Sequence, residues 1–88
     1  MTDKELEKLH KALANRRRVA LMRYLHTKKD ADLATLSGHL KLGYKSTSKH
    51  LIQLAAAGMV DKDTRSGIVY FSLSKTIPTL AAHTLKLL

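Results

Sequence analysis

The chain has 88 residues, no cysteine, and 16 Lys+Arg against 7 Asp+Glu, a net charge of +9. That length makes one domain over residues 1–88, and a domain this small buries only about 60–65% of its unfolded surface, so a second copy of the chain would help to hold it. The missing cysteines exclude disulfides and thiolate metal sites, no run approaches the roughly 18 apolar residues that span a bilayer, and the charged start Met1-Thr2-Asp3-Lys4-Glu5 is no signal peptide, so the expectation is a cytoplasmic protein with no membrane partner.

Thr2 and Glu5 form a capping box, and Leu6, Leu9 and Leu13 recur at helical spacing, which predicts a first helix over about residues 3–14. Asn15 caps a second helix with Val19, Met22 and Leu25 inward and Leu21 flanking. Lys28-Lys29-Asp30-Ala31 reads as a polar loop, after which Asp32 caps a third helix from Leu33 to about Leu40. The turn Lys41-Leu42-Gly43-Tyr44 places its glycine where the chain must bend, and a fourth helix runs from Lys45 to Ala57 with Gly58 as its stop. Met59-Val60 and Ile68-Val69-Tyr70-Phe71 are β-type runs around a hairpin tip at Arg65-Ser66-Gly67, where Gly67 supplies a positive φ. Pro78 opens a last helix, Thr79 to Leu88, with Leu80, His83, Leu87 and Leu88 on one side. The order α-α-α-α-β-β-α is mainly helical with one small hairpin, the pattern of a winged helix-turn-helix.

Charge follows that pattern. Residues 1–15 balance Asp3, Glu5 and Glu7 against Lys4, Lys8 and Lys11, so the excess lies from Arg16 onward, where it attracts polyanions. On the fourth helix Thr47, His50, Leu51 and Leu54 share one face and Lys45, Ser48, Lys49 and Ile52 the other. The first set should pack inward, with His50 bonding backbone nearby. The second should point away from the body, and its Lys45, Ser48 and Lys49 are the first candidates to meet double-stranded DNA, lysine donating to guanine or phosphate and serine to either. Tyr44 and Ser46 at the start of this helix, and Lys41 just before it, join the candidate DNA contacts. So do Lys62, Arg65 and Gly67 on the wing, where a guanidinium can enter the minor groove. The run Arg16-Arg17-Arg18 either meets phosphate or is a solvated surface with Arg18 paired to a carboxylate, and both readings stand.

The terminal apolar stripes, Leu6, Leu9 and Leu13 together with Leu80, His83 and Leu87, suit an interface between two copies. Five histidines invite a metal reading, but no two are spaced three or four apart. A zinc site built across a dimer from His10, His83 and Glu7 is the weaker alternative, and neither metal nor cofactor is expected. No nucleophile–base spacing, glycine elbow or carboxylate pair suggests an enzyme.

Three segments resemble the ArsR-type (arsenic-resistance-repressor) winged helix family. Ala12-Leu13-Ala14-Asn15-Arg16-Arg17-Arg18-Val19-Ala20-Leu21-Met22 is similar to the family's opening motif. Leu42 to Leu54, through Ser48-Lys49-His50-Leu51, resembles its recognition helix, and Ala57-Gly58-Met59-Val60 followed by a basic hairpin ending Val69-Tyr70-Phe71-Ser72-Leu73 resembles its wing. The resemblance implies a homodimeric repressor paired through its first and last helices, each subunit placing a recognition helix in half of a palindromic operator. It departs from the metal-sensing members: Asp30-Ala31-Asp32-Leu33-Ala34 stands where their paired cysteines would be, and Arg16 replaces the proline of the opening motif. A protein-binding module on the same scaffold, a non-specific architectural DNA-binding protein, and a metal-responsive repressor with an unusual site are the rival readings.

Overall fold

Local capping chemistry sets most of the helix boundaries. In the computed structural model, which describes residues 2–75, the Thr2 hydroxyl oxygen accepts from the Glu5 N–H at 3.1 Å and opens α1, Asp3–Leu13. Asn15 Oδ1 accepts from the N–H groups of Arg17 and Arg18 at 2.9 and 3.2 Å and opens α2, Arg16–Lys28. Lys29, with φ 72°, turns the chain into β1, Asp30–Asp32. Asp32 ends that strand and also caps α3, Leu33–Leu40, by accepting from the Thr35 N–H at 2.9 Å. There follow α4, Tyr44–Ala56, β2, Val60–Arg65, and β3, Ile68–Leu73. The helix expected over residues 79–88, with Leu80, His83, Leu87 and Leu88, lies outside the described residues.

Two sequence expectations are corrected here. Asp30-Ala31, read as loop, belongs to β1, which pairs antiparallel with β3 through Asp30↔Ser72, Ala31↔Phe71 and Asp32↔Tyr70. The wing is thus a three-stranded sheet in the order β1-β3-β2. An Asp-Ala-Asp triplet has poor strand propensity and is extended because the free edge of β3 supplies partners for its backbone. The bend between α3 and α4 is not made by Gly43, whose φ is −67°, but by Lys41, which takes the left-handed conformation at φ 57°. Its N–H donates to Gly38 O at 3.3 Å and the Leu42 N–H to Ser37 O at 3.1 Å, closing the end of α3.

The stop after α4 follows the expected chemistry. Gly58 sits at φ 75°, its N–H donating to Ala55 O and that of Met59 to Leu54 O, both at 3.0 Å. Leu54 and Met59, brought together by that motif, are both fully buried. At the hairpin, Arg65 pairs with Ile68, and Ser66 and Gly67 both have positive φ, the requirement of the two-residue turn whose twist matches the strands.

The core joins Leu9 and Ala12 of α1, Leu21, Met22 and Leu25 of α2, Leu36 of α3, Leu51 and Leu54 of α4, and Ala31, Met59, Val60 and Phe71 around the sheet. Leu21, expected to flank, is at its centre, while Val19 is only half-buried. Leu9 is likewise buried in the protomer's own core and Leu13 packs against it, so of the α1 stripe Leu6 is the residue left half-exposed beside them. None of the helices among the described residues is long and apolar enough to cross a membrane.

Candidate nucleic-acid interface

Each face of α4 has a distinct job. Thr47, Leu51 and Leu54 are buried and fix the helix to the body. Thr47 Oγ1 donates to Gly43 O at 3.0 Å, satisfying its hydroxyl within the first turn. Lys45, Ser46, Lys49 and Ile52 are exposed on the outer side, Tyr44 is exposed at the start, and Ser48 is half-buried at the edge. Lys41 is exposed just before the helix. The structure therefore brings Lys41, Tyr44, Lys45, Ser46, Ser48 and Lys49 onto one element and its entry. The α4 acids number none, so nothing on the helix itself neutralises the lysines.

Behind α4 lies a residue whose part the sequence did not reveal. Arg18 is buried, and its guanidinium donates to Ala12 O at 2.6 Å and Lys11 O at 2.9 Å. It meets no carboxylate among the described residues, contrary to that alternative for the run. Nη1 lies 3.3 Å from His50 Nδ1. A guanidinium only donates, so His50 accepts at Nδ1 and carries its proton on Nε2. Partial burial, followed by the charges of Arg18 and Arg17, holds the His50 pKa below its usual 6.5. His50 thus bonds a side chain and not the nearby backbone. The arginine run divides: Arg16 and Arg17 are exposed beside Asn15, and Arg18 is structural.

The wing is less basic than its sequence suggests. Its hairpin carries Lys62 and Arg65 against Asp61 and Asp63, so the two charges of each sign cancel. Strand alternation and register put Asp30, Asp32, Asp61 and Asp63 on one sheet face, four of the seven carboxylates of the chain. Arg65 crosses that face: it lies 3.9 Å over the Tyr70 ring, donates to Asp30 Oδ2 at 2.8 Å, and sits 3.5 Å from Asp63. Its hydrogen bond to Asp30 is the main cause that raises its pKa above the usual arginine value. The guanidinium expected at the hairpin tip therefore bridges β2 to β1 over β3. Lys62 is exposed on the opposite face, in register with Phe71, and Gly67 shapes the turn.

Other chemistry finds little footing. No group of three His, Asp or Glu among the described residues lies close enough to hold a metal ion. His10 Nδ1 is 2.8 Å from Leu6 O, and His83 lies outside the described residues. A cleft of about 490 Å³ between α2 and α3 contains the Tyr24 and His39 rings, 4.5 Å apart, but no carboxylate or serine.

The chain matches no protein-family model and no curated protein sequence. It is similar to solved structures. HlyU from Vibrio cholerae N16961 shares 27% identity and a TM-score of 0.81, over 99% of this chain and 92% of that one. A transcriptional regulator HlyU from Vibrio vulnificus CMCP6 shares 27% identity and a TM-score of 0.78, over 96% and 83%. Mb0332 from Mycobacterium bovis, a homodimeric winged helix-turn-helix DNA-binding domain, shares 18% identity and a TM-score of 0.81, over 99% and 82%. In the path of its backbone the chain has the winged helix-turn-helix fold, and it is similar to solved structures of HlyU and of ArsR-family transcriptional regulators.

Proposed function

We propose that the protein is a non-enzymatic, cytoplasmic, sequence-specific regulator of transcription that binds double-stranded DNA as a homodimer and represses by occluding a promoter. The observation that carries this reading is the division of α4: Thr47, Leu51 and Leu54 anchor it, and Lys45 and Lys49 project from the other side. A helix so presented fits the major groove, and its ammonium groups suit guanine O6/N7 or phosphate. Lys45, Ser48 and Lys49 read bases; Tyr44, Ser46, Lys41 and Lys62 hold the backbone, with Arg65 and Gly67 keeping the wing in shape. Likeness to structures of transcriptional regulators supports the reading. Dimerisation is supported by the resemblance, by the homodimeric Mb0332 domain, and by the half-exposed Leu6 on α1. A palindromic operator with half-sites about 10 base pairs apart, or a multiple of that, follows from two-fold symmetry.

The test is selection of genomic fragments followed by fluorescence anisotropy over a range of salt. Binding should select a two-fold symmetric site, and its affinity should fall steeply with salt as counterions are released. Lys49→Ala should weaken binding while the circular dichroism spectrum stays that of the parent. Failure to retain any duplex, or a salt-independent Kd, overturns the proposal.

A further inference from the structure

We propose that Ile52 is a specificity-determining residue that reads the C5-methyl group of a thymine in the major groove. This rests on the DNA-binding reading above and adds to it the base class that one side chain selects.

Among the described residues, four large apolar side chains are exposed: Tyr44 at 59%, Ile52 at 56%, Ile68 at 46% and Val69 at 40%. A single exposed apolar residue is ordinary. Their placement is not evenly spread: two are on α4 and two begin β3 beside the wing tip, and α1, α2 and α3 expose none. Ile68 and Val69 alternate to opposite faces of the sheet and form no common patch, so it is the apolar surface on α4 that marks a face meeting something.

Ile52 identifies what that is on α4. Seven residues complete nearly two helical turns, so Ile52 lies within about 20° of Lys45 around the axis. Lys49 and Ser48 lie on either side of this line, so the isoleucine belongs to a cationic stripe and not to an apolar groove. A protein partner docking there would bury lysines, which interface cores avoid. Duplex DNA suits both: phosphates and purine edges take the ammonium groups, and thymine is the base that offers a methyl group in the major groove. Nothing in the fold calls for isoleucine at this position, because the side chain makes no part of the core and isoleucine is a poorer helix former than lysine or glutamine.

The experiment uses the full chain and duplexes selected from a randomised double-stranded DNA pool. Each thymine of the selected site is replaced singly by uracil, which deletes the methyl group and leaves the base-pairing edge unchanged. Wild type and Ile52→Ala are compared by fluorescence anisotropy. One thymine per half-site should lose about fourfold in wild-type affinity on replacement, the transfer cost of roughly one methylene, and Ile52→Ala should be indifferent to that replacement. Uracil substitutions that have no effect, or that affect wild type and Ile52→Ala alike, overturn the inference while leaving DNA binding intact. If no duplex is retained by the wild type, the DNA-binding reading falls and takes this inference with it.

Discussion

Arg18 and His50 form the most consequential pair of side chains in the protein. Lys11 and Ala12 are among the last residues of α1, and at this negative end of the helix dipole the Arg18 guanidinium donates to both carbonyls, sharing Lys11 O with the Ala14 N–H. One residue therefore closes α1, belongs to α2 and touches α4. Arg18→Met keeps much of the volume but takes the side-chain donor from Ala12 O and leaves Lys11 O with the Ala14 N–H, and should lower stability by roughly 1–3 kcal/mol in urea denaturation. His50 contributes a pH dependence. Its folded pKa lies below the unfolded 6.5, so above that pH it is neutral in both states and has no effect. As pH falls from there through the folded value, the unfolded chain takes the proton first and stability is lost, levelling off below the folded value. His50→Asn keeps an acceptor for Arg18 but cannot titrate. Urea midpoints at about pH 7.5 and about pH 5 should fall further in wild type than in this variant; equal losses would place the acid sensitivity elsewhere.

At the scale of elements, the turn between α3 and α4 separates two demands on one residue. Lys41 occupies a left-handed conformation that disfavours a side chain, yet it stands at the entry to the proposed reading helix. Lys41→Gly should raise stability by roughly 0.5–1 kcal/mol by relieving that strain. The same change should weaken DNA binding through the lost phosphate contact, so thermal midpoint and affinity should move in opposite directions. A loss of both would show that the lysine supports the turn. This turn also shows why sequence reading succeeds and fails where it does. Thr2, Asn15, Asp32 and Gly58 act on groups a few residues away, so their effects could be read directly from spacing. Assigning the bend to Gly43 followed residue preference, whereas the backbone placed its positive φ two residues earlier. Strand β1 was illegible because its hydrogen-bond partners lie some forty residues away on β3. Leu9 showed helical spacing, but spacing alone does not tell a protomer's core from a shared interface. The outer side of α4 was legible, since its fully buried residues alternate with lysines at helical period; the tethering of Arg65 depended on a sheet that only the tertiary fold creates.

Across the molecule, charge is sorted more sharply than a net value of +9 conveys. α2 carries five of the basic residues and no acid, α4 offers its two lysines outward, and the sheet face with Asp30, Asp32, Asp61 and Asp63 is acidic. A polyanion is drawn to one side and repelled by another, which orients an encounter before any base is read. Asp63→Asn removes one repelling charge from the wing and leaves Arg65 tied to Asp30. It should tighten duplex binding about two- to threefold at about 50 mM salt and have little effect at about 300 mM, where the screening length has shrunk from roughly 14 Å to roughly 6 Å. Anisotropy titrations at both concentrations check this, and an unchanged low-salt affinity would mean that the acidic face is remote from bound DNA.

Because Asp32 is at once the last residue of β1 and the cap of α3, the hairpin is not a free flap. Peeling β3 from β1 releases the carboxylate that holds the first turn of α3, so the two should open as one cooperative unit. Amide deuterium uptake should then report a common opening free energy for Phe71 and for Thr35, and Asp32→Ala should accelerate exchange at both.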